Sequence, residues 1–73
     1  MRIIVSEHAK KRLKEDRQGG ITLADISRAA SSFPGYIPRA TRLRGFITAS
    51  GRAFDLVARD VTIGRLVITV IGR

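Results

Sequence analysis

The sequence of 73 residues contains no cysteine, no tryptophan and a single histidine, His8. Without cysteine, the chain can form no disulfide, no thiolate metal site and no thiol nucleophile. With one histidine and scattered carboxylates, no spacing typical of metal ligands is visible, so we expect neither a metal nor another cofactor. The chain has only three phenylalanines and one tyrosine, which argues against a stacking platform for single-stranded nucleic acid.

Long apolar runs are also missing. The longest, residues 66–71, is far shorter than the roughly 20 residues that a membrane-spanning helix needs. Residues 1–5 lead at once into a charged segment, which leaves no room for a signal peptide. We therefore expect a soluble, cytoplasmic protein with no membrane partner, although a lack of cysteine is also common in toxins that are moved between cells.

Acidic residues are few. Six Asp and Glu stand against fourteen Lys and Arg, eleven of which are Arg, and the formal net charge is +8. A charge of this size favours a polyanion or an acidic protein as partner, and the planar guanidinium group of arginine suits phosphate. Nucleic acid is the favoured partner. The alternatives are a solvated basic surface and a basic face that an acidic partner covers.

The chain begins with a short strand and a charged helix. Residues 2–5 are apolar and β-branched, which is typical of a strand, here one at the edge of a sheet. Ser6 is a suitable N-cap for a helix over residues 6–17, and Gly19 and Gly20 then end that helix. Its thin apolar stripe consists of Val5, Ala9 and Leu13.

A second helix has the clearest boundary in the sequence. Thr22 is its N-cap, Asp25 completes a capping box, and Ile21 and Ile26 are spaced to form a hydrophobic staple. We predict that this helix ends at residues 33–35, where proline and glycine follow phenylalanine. Its core-facing stripe is predicted to consist of Leu23, Ile26, Ala30 and Phe33.

The C-terminal half alternates between apolar and polar residues. This pattern predicts strands over residues 42–50, 53–59 and 65–71, joined by short hairpin links. One face of the sheet is expected to pack on the helices and the other to be an open surface with Arg and Thr side chains. The face opposite Phe54, Leu56 and Ala58 is predicted to carry Asp55, Val57 and Arg59. In the last strand, Leu66, Ile68 and Val70 are predicted to oppose Arg65, Val67, Thr69 and Ile71. We therefore predict a single α+β domain over residues 1–73, with a short first strand, two helices and a three- to four-stranded antiparallel sheet.

Three stretches of the chain resemble the family catalogued as domain of unknown function 4258, and the likeness covers nearly the whole sequence. The stretches are Ser6-Glu7-His8-Ala9 followed by Arg12 and Arg17, Gly20-Ile21-Thr22 at the second helix, and Val67-Ile68-Thr69-Val70 on the last strand. His8, Arg12 and Thr69 fall directly on the family pattern. Extra residues between Arg17 and Ile21 depart from the usual Arg-Gly-Ile, which affects the match of Arg17.

The resemblance implies a relation to RelE-like toxins and to ribonuclease toxins of the barnase, EndoU and colicin type. A member is expected to have a RelE-like fold, with two helices layered on an antiparallel sheet. The implied activity is metal-independent cleavage of RNA. The implied partners are RNA and a cognate acidic antitoxin or immunity protein.

RNA cleavage without a metal needs proton transfer and positive charge on the phosphate. The imidazole of His8 can supply the first, since histidine titrates near neutral pH. Arg12 and Arg59 are the candidates for the second, and we predict these three residues as catalytic. The plainer interpretations are an exposed helical histidine for His8 and a surface ion pair with Glu15 or Asp16 for Arg12.

Further residues are predicted to contact RNA along its path. Each has a plainer interpretation: Tyr36 can anchor its own loop, and Thr69 is simply favoured in strands. The predicted RNA-binding residues are Lys11, Tyr36, Arg42, Arg44 and Thr69.

The sequence therefore predicts a small basic endoribonuclease toxin that acts by attack of the RNA 2′-hydroxyl. Two rival functions stay open. One is a non-catalytic nucleic-acid-binding module in which His8 is incidental. The other is a degenerate toxin that acts only as an interaction protein. The RNA target, whether messenger, transfer or ribosome-bound RNA, and the oligomeric state are left open.

Overall fold

The structure is a computed structural model, and it describes residues 1–73 apart from the side chain of Arg17. Its elements are β1 (Ile3–Val5), α1 (Glu7–Arg12), a 3-10 helix (Asp16–Gln18), α2 (Leu23–Ser32), β2 (Thr41–Ile47), β3 (Ala53–Val61) and β4 (Gly64–Gly72). The four strands form one sheet in the order β1-β4-β3-β2. This confirms the predicted α+β class.

The sheet is mixed rather than wholly antiparallel. β2, β3 and β4 form an antiparallel meander, as their hairpin links require, whereas β1 pairs with β4 in the parallel direction. β1 lies at the edge, as predicted. Because the helices and two further strands separate β1 from β4 along the chain, no tight turn forces these two strands to be antiparallel.

The first helix is shorter than the predicted segment 6–17. α1 ends at Arg12. The Leu13 N–H still bonds the Ala9 carbonyl four residues back, but the N–H groups of Lys14 and Glu15 bond carbonyls three residues back. The buried side chain of Gln18 then accepts a hydrogen bond of 2.7 Å from the backbone N–H of Gly72. This bond draws the chain towards β4, so the helix gives way to a turn and a 3-10 helix.

The second helix begins at the predicted capping box. Thr22 Oγ1 accepts from the Asp25 N–H at 3.1 Å, and Asp25 Oδ2 accepts from the Thr22 N–H at 3.0 Å. Ile26 is buried, but the prediction that Leu23 and Phe33 face the core is wrong, since both are exposed. Phe33 has an extended backbone beyond the last helical residue, so helical spacing no longer orients its side chain. The buried side chains of α2 are Asp25, Ile26, Ala29 and Ala30.

One face of the sheet packs on the helices. The core on this face is formed by Ala9, Ile21, Ile26, Ala29, Ala30, Phe54, Leu56, Val67 and Val70. None of the helices in the described part of the chain has the length and apolar character needed to cross a membrane. The opposite face, called the outer face below, carries no helix of its own and presents the second set of β3 side chains.

A β-bulge at Ile68 reverses the alternation of β4. Val57 pairs with Thr69 while Ala58 pairs with Val67, so Ile68 has no partner across the ladder. Before the bulge, Arg65 therefore lies on the same face as Val67, towards the core. The prediction that Arg65 and Val67 lie on the open face, with Leu66 on the opposite one, is wrong for this reason.

Arg65 is the largest fully buried side chain, and its guanidinium group closes the C-terminal end of α2. Nε donates to Asp60 Oδ1 at 2.7 Å, and Nη2 donates to Oδ2 at 3.2 Å. The remaining hydrogens reach backbone carbonyls that α2 and its following turn leave without helical partners. These carbonyls belong to Ala30, Phe33 and Gly35. One charged pair thus joins α2, the loop after it and the β3–β4 hairpin.

Asp25 joins the start of α2 to the turn between β2 and β3. Its Oδ1 accepts from the Ala49 N–H at 3.0 Å, and Oδ2 accepts from Thr22. These backbone hydrogen bonds, together with Arg28, lower the pKa of Asp25 to about 2. Hydrogen bonds from Arg65 and from the Ile37 N–H likewise lower the pKa of Asp60.

We expect the free energy of unfolding to fall as the pH is lowered from about 5 to about 2. In the unfolded chain, Asp25 and Asp60 take up protons near their ordinary pKa, whereas in the folded protein both stay ionised at lower pH. The unfolded state therefore binds more protons in this window, and acid favours it. Urea midpoints measured across this range are the test.

The Asp25→Asn variant is the control for this pH dependence. It should be less stable at neutral pH and should lose less on acidification than the native protein. High salt is kept in both series, because it screens the repulsion that a more positive chain experiences in acid. Urea midpoints that do not change with pH would contradict this account.

Candidate nucleic-acid interface

The outer face brings together four of the predicted site residues, Arg42, Arg44, Arg59 and Thr69. Arg42 on β2 pairs with Val57 on β3, and Val57 pairs with Thr69 on β4. Paired residues in an antiparallel sheet point to the same side, and so do residues two apart on one strand. Arg42, Thr69 and Arg59 therefore share the outer face, with Arg59 exposed and Thr69 half-buried.

Asp55, a fully buried carboxylate, lies on the outer face and gathers three arginines around it. Arg42 donates to Oδ2 twice, from Nε at 3.0 Å and from Nη2 at 2.8 Å. Arg44 Nη1 lies 3.9 Å from Oδ2, and Arg73 Nε lies 3.4 Å from Oδ1. We call Asp55 with Arg42, Arg44 and Arg73 the arginine cluster.

A second β-bulge, in β2, positions this carboxylate. Leu43 pairs with Leu56 and Phe46 with Phe54, so two residues of β2 stand opposite Asp55. One of them is Gly45, whose φ of 84° is a left-handed conformation that glycine adopts without strain. Its free backbone N–H donates to Asp55 Oδ1 at 3.1 Å. The bulge amide is thus satisfied by a side chain instead of by the ladder.

The charge of Asp55 is maintained by these partners. Burial by itself raises the pKa of Asp55, but the Gly45 N–H, the hydrogen bonds from Arg42 and the positive charge of Arg73 outweigh it. The net result is a lowered pKa. Asp55 is therefore ionised at neutral pH, with guanidinium groups around it.

Arg59 and Tyr36 line a common open groove of about 490 Å³ at the end of β3. The remaining walls of this groove are formed by Asp60, Val61 and Thr62. Both candidate side chains are exposed. The groove therefore has an arginine and a phenol in its lining, and Arg59 also belongs to the outer face.

His8 and Arg12 lie on α1, which runs along the edge of β4 where β1 has ended. Arg12 Nε donates to the Val70 carbonyl at 2.9 Å, and its Nη1 lies 3.9 Å from Glu15 Oε1. Ser6 Oγ donates to the Ile68 carbonyl at 2.7 Å in the same row. Arg12 is 26% exposed and holds the sheet edge, whereas His8 is exposed.

Lys11 lies in a different place from the other predicted RNA-binding residues. It lines a groove of about 430 Å³ with an apolar floor formed by Leu13 and Leu23. Lys10 and Lys14 also line this groove, so the three lysines of the chain are together, and Glu7 lines it with its Oε1 3.6 Å from Lys10 Nζ. This groove lies along α1 and not on the outer face.

Six of the eight predicted residues form two sets, while Lys11 lies in the groove on α1 and Tyr36 in the groove at the end of β3. Arg42, Arg44, Arg59 and Thr69 belong to the outer face, while His8 and Arg12 lie at the edge of β4. Both sets include contacts with β4, where Arg12 bonds the carbonyl of Val70, the residue after Thr69. Among the residues that the structure describes, no three His, Asp or Glu side chains lie together as metal ligands would.

Two residues of the interface, Asp55 and Arg73, are absent from the predicted site. The alternating pattern contains a signal for Asp55, because it places a single acidic residue among arginines on the outer face. Arg73 has no comparable signal, because its position depends on the pairing of β3 with the C-terminal end of β4. In the comparisons with known proteins, no family model, no curated protein and no solved structure matches this chain.

Proposed function

We propose that the protein binds RNA on its outer face and cleaves it by attack of the RNA 2′-hydroxyl, without a metal. The observation that carries the proposal is the excess of guanidinium groups on this face, and an exposed histidine lies on α1, which runs along the edge of β4. Four arginines stand against one carboxylate on the outer face: Arg42, Arg44, Arg59 and Arg73, with Asp55.

The charge of the outer face favours a polyanion. The other carboxylate of β3, Asp60, is matched by the buried Arg65 on the core side and so subtracts little from this face. Planar guanidinium groups bind phosphate, as they bind carboxylate, through two parallel N–H···O hydrogen bonds. Single-stranded RNA offers phosphates at regular spacing, with 2′-hydroxyl groups that DNA lacks.

The chemistry assigned to His8 is removal of the proton from the 2′-hydroxyl. The 2′ oxygen then bonds to phosphorus, the bond from phosphorus to the 5′ oxygen breaks, and water supplies a proton to the leaving oxygen. The Nη groups of Arg12, on the same helix as His8, stabilise the charge on this phosphate, and the guanidinium of Arg59 on the outer face binds another phosphate of the same strand. The products are a 2′,3′-cyclic phosphate and a 5′-hydroxyl.

We expect purified protein to cut unmodified RNA in the presence of a chelator and to leave 2′-O-methyl RNA of the same sequence intact. The methyl group removes the proton that His8 would take and blocks the nucleophile. Gel analysis of labelled oligonucleotides measures both reactions. Cleavage of the methylated strand, or cleavage that chelator abolishes, would contradict the mechanism.

A second candidate function is a non-catalytic RNA-binding module. The involvement of Arg12 in holding the Val70 carbonyl favours it, because this arginine already has a structural role. The two functions differ in the fate of the RNA. Binding of both oligonucleotides with no cleavage of either would support the module.

The proposed toxin acts on RNA in the cytoplasm and is neutralised by an acidic antitoxin or immunity protein. The groove on α1 supports such a partner, because Leu13 and Leu23 line it together with three lysines against one carboxylate, that of Glu7. An acidic segment with apolar side chains fits this combination. The groove lies apart from the outer face, so the partner and RNA have separate contacts in this proposal.

A further inference from the structure

We propose that the arginine cluster is a preorganised site for phosphodiester groups of the RNA backbone, in which Asp55 orients the guanidinium groups. The inference rests on the proposed function, since RNA is the ligand. It assigns the binding to one part of the outer face, and it gives a buried acid a role in binding an anion.

The cluster keeps donors available for a ligand. Arg42 bonds Asp55 through Nε and Nη2, and Nη1 makes none of these bonds. Arg44 only approaches the carboxylate, at 3.9 Å, and its side chain is 65% exposed. Arg73 meets Asp55 through Nε at 3.4 Å, so its two Nη groups lie beyond this contact.

The charge of the cluster remains positive after internal pairing. Three guanidinium groups surround one carboxylate, which leaves two positive charges in a small area of the outer face. A single arginine would suffice to pair a buried aspartate. Three arginines are therefore more than are needed to neutralise the charge of Asp55.

Asp55 is itself immobile, which is what orientation of the arginines requires. Its side chain is fully buried and its Oδ1 accepts the Gly45 N–H of the bulge. Long arginine side chains lose conformational entropy when a ligand fixes them. A fixed carboxylate that already restrains them reduces this loss at the moment of binding.

The decisive variant is Asp55→Asn, because two explanations predict opposite results. If binding depends only on total charge, loss of one negative charge from a protein of net charge +8 tightens RNA binding. If Asp55 orients the arginines, the same change weakens binding about threefold or more. Asp16→Asn is the matched control, since Asp16 is an exposed acid in the 3-10 helix.

Single arginine variants test the site without removing a buried group. We expect Arg44→Ala and Arg73→Ala to weaken binding and to reduce the slope of log affinity against log salt by about 0.7 each. Arg28→Ala is the control, because Arg28 also pairs with an aspartate and is exposed, but lies on α2 on the opposite side of the sheet. Its salt slope should remain that of the native protein.

Binding is measured by fluorescence anisotropy with a labelled 2′-O-methyl RNA, which separates binding from cleavage. Weaker binding by Asp55→Asn, Arg44→Ala and Arg73→Ala, but not by the controls, supports the site. If the native protein binds and the arginine variants behave like Arg28→Ala, the site is wrong while the proposed function stands. Failure of the native protein to bind RNA overturns both. If Asp55→Asn does not fold, the two arginine variants decide.

Discussion

Replacement of Arg65 by methionine is expected to lower the free energy of unfolding by about 3–5 kcal/mol. The guanidinium group is fully buried and bonds both oxygens of Asp60. Methionine has a similar length but no donor. The variant therefore leaves a largely buried carboxylate without its ion-pair partner and three carbonyls at the end of α2 without donors.

This loss is large for a domain of this size, because the free energy of unfolding of a whole domain is only about 5–15 kcal/mol. Urea unfolding followed by circular dichroism measures it. Arg59→Met is the control, since Arg59 is exposed on the neighbouring strand and should change stability by less than about 0.5 kcal/mol. Arg65→Lys should also be costly, since an ammonium group cannot reproduce the planar set of donors. Equal stability of Arg65→Met and Arg59→Met would show that the network does not stabilise the fold.

Replacement of His8 by alanine is expected to slow RNA cleavage about 100- to 10,000-fold, the usual contribution of a positioned acid–base group. His8 is exposed on α1, and alanine is the best helix former, so the fold should not suffer. Because the proposal assigns RNA binding to the arginines of the outer face and only proton transfer to His8, the affinity for RNA should stay nearly unchanged. Single-turnover cleavage and anisotropy, measured on the same preparation, separate the two effects.

Lys14→Ala is the matched control for His8→Ala. Lys14 is exposed just after α1, but it lines the groove on Leu13 and Leu23. Its loss removes one positive charge and should reduce the cleavage rate only a few-fold. If His8→Ala and Lys14→Ala cleave equally fast, His8 is not the proton-transfer group.

Features that depend on neighbouring residues could be predicted from the sequence. The capping box of Thr22 and Asp25 is local, and the structure confirms it. The faces of β3 also follow the predicted alternation, because this strand keeps one pleat through its central residues. The α+β class followed from the change of period between the helices and the strands.

Features that depend on distant contacts could not be predicted. The bulge at Ile68 determines the side of the sheet on which Arg65 lies, and no residue near Ile68 indicates from the sequence that a bulge forms there. The early end of α1 depends on a bond from Gly72 to Gln18, residues that are far apart in the chain. Parallel pairing of β1 with β4 is likewise a long-range contact.

The candidate site likewise has residues that could be predicted from the sequence and residues that could not. Charge and strand pattern were sufficient to nominate Arg42, Arg44 and Arg59. The role of Asp55 depends on the bulge at Gly45, which turns a backbone N–H towards the carboxylate. Arg73 joins the cluster only through the pairing of β3 with β4. Composition thus indicated a basic surface, while the ladder register determines which arginines meet.

The most direct test of the central claim is the chemistry of the RNA ends that the native protein produces. Total cellular RNA is incubated with the purified protein in chelator, and the fragment ends are identified. The account predicts discrete fragments with 2′,3′-cyclic phosphate and 5′-hydroxyl ends. Fragments with 5′-phosphate ends, or no cleavage of either free or ribosome-bound RNA, would contradict it.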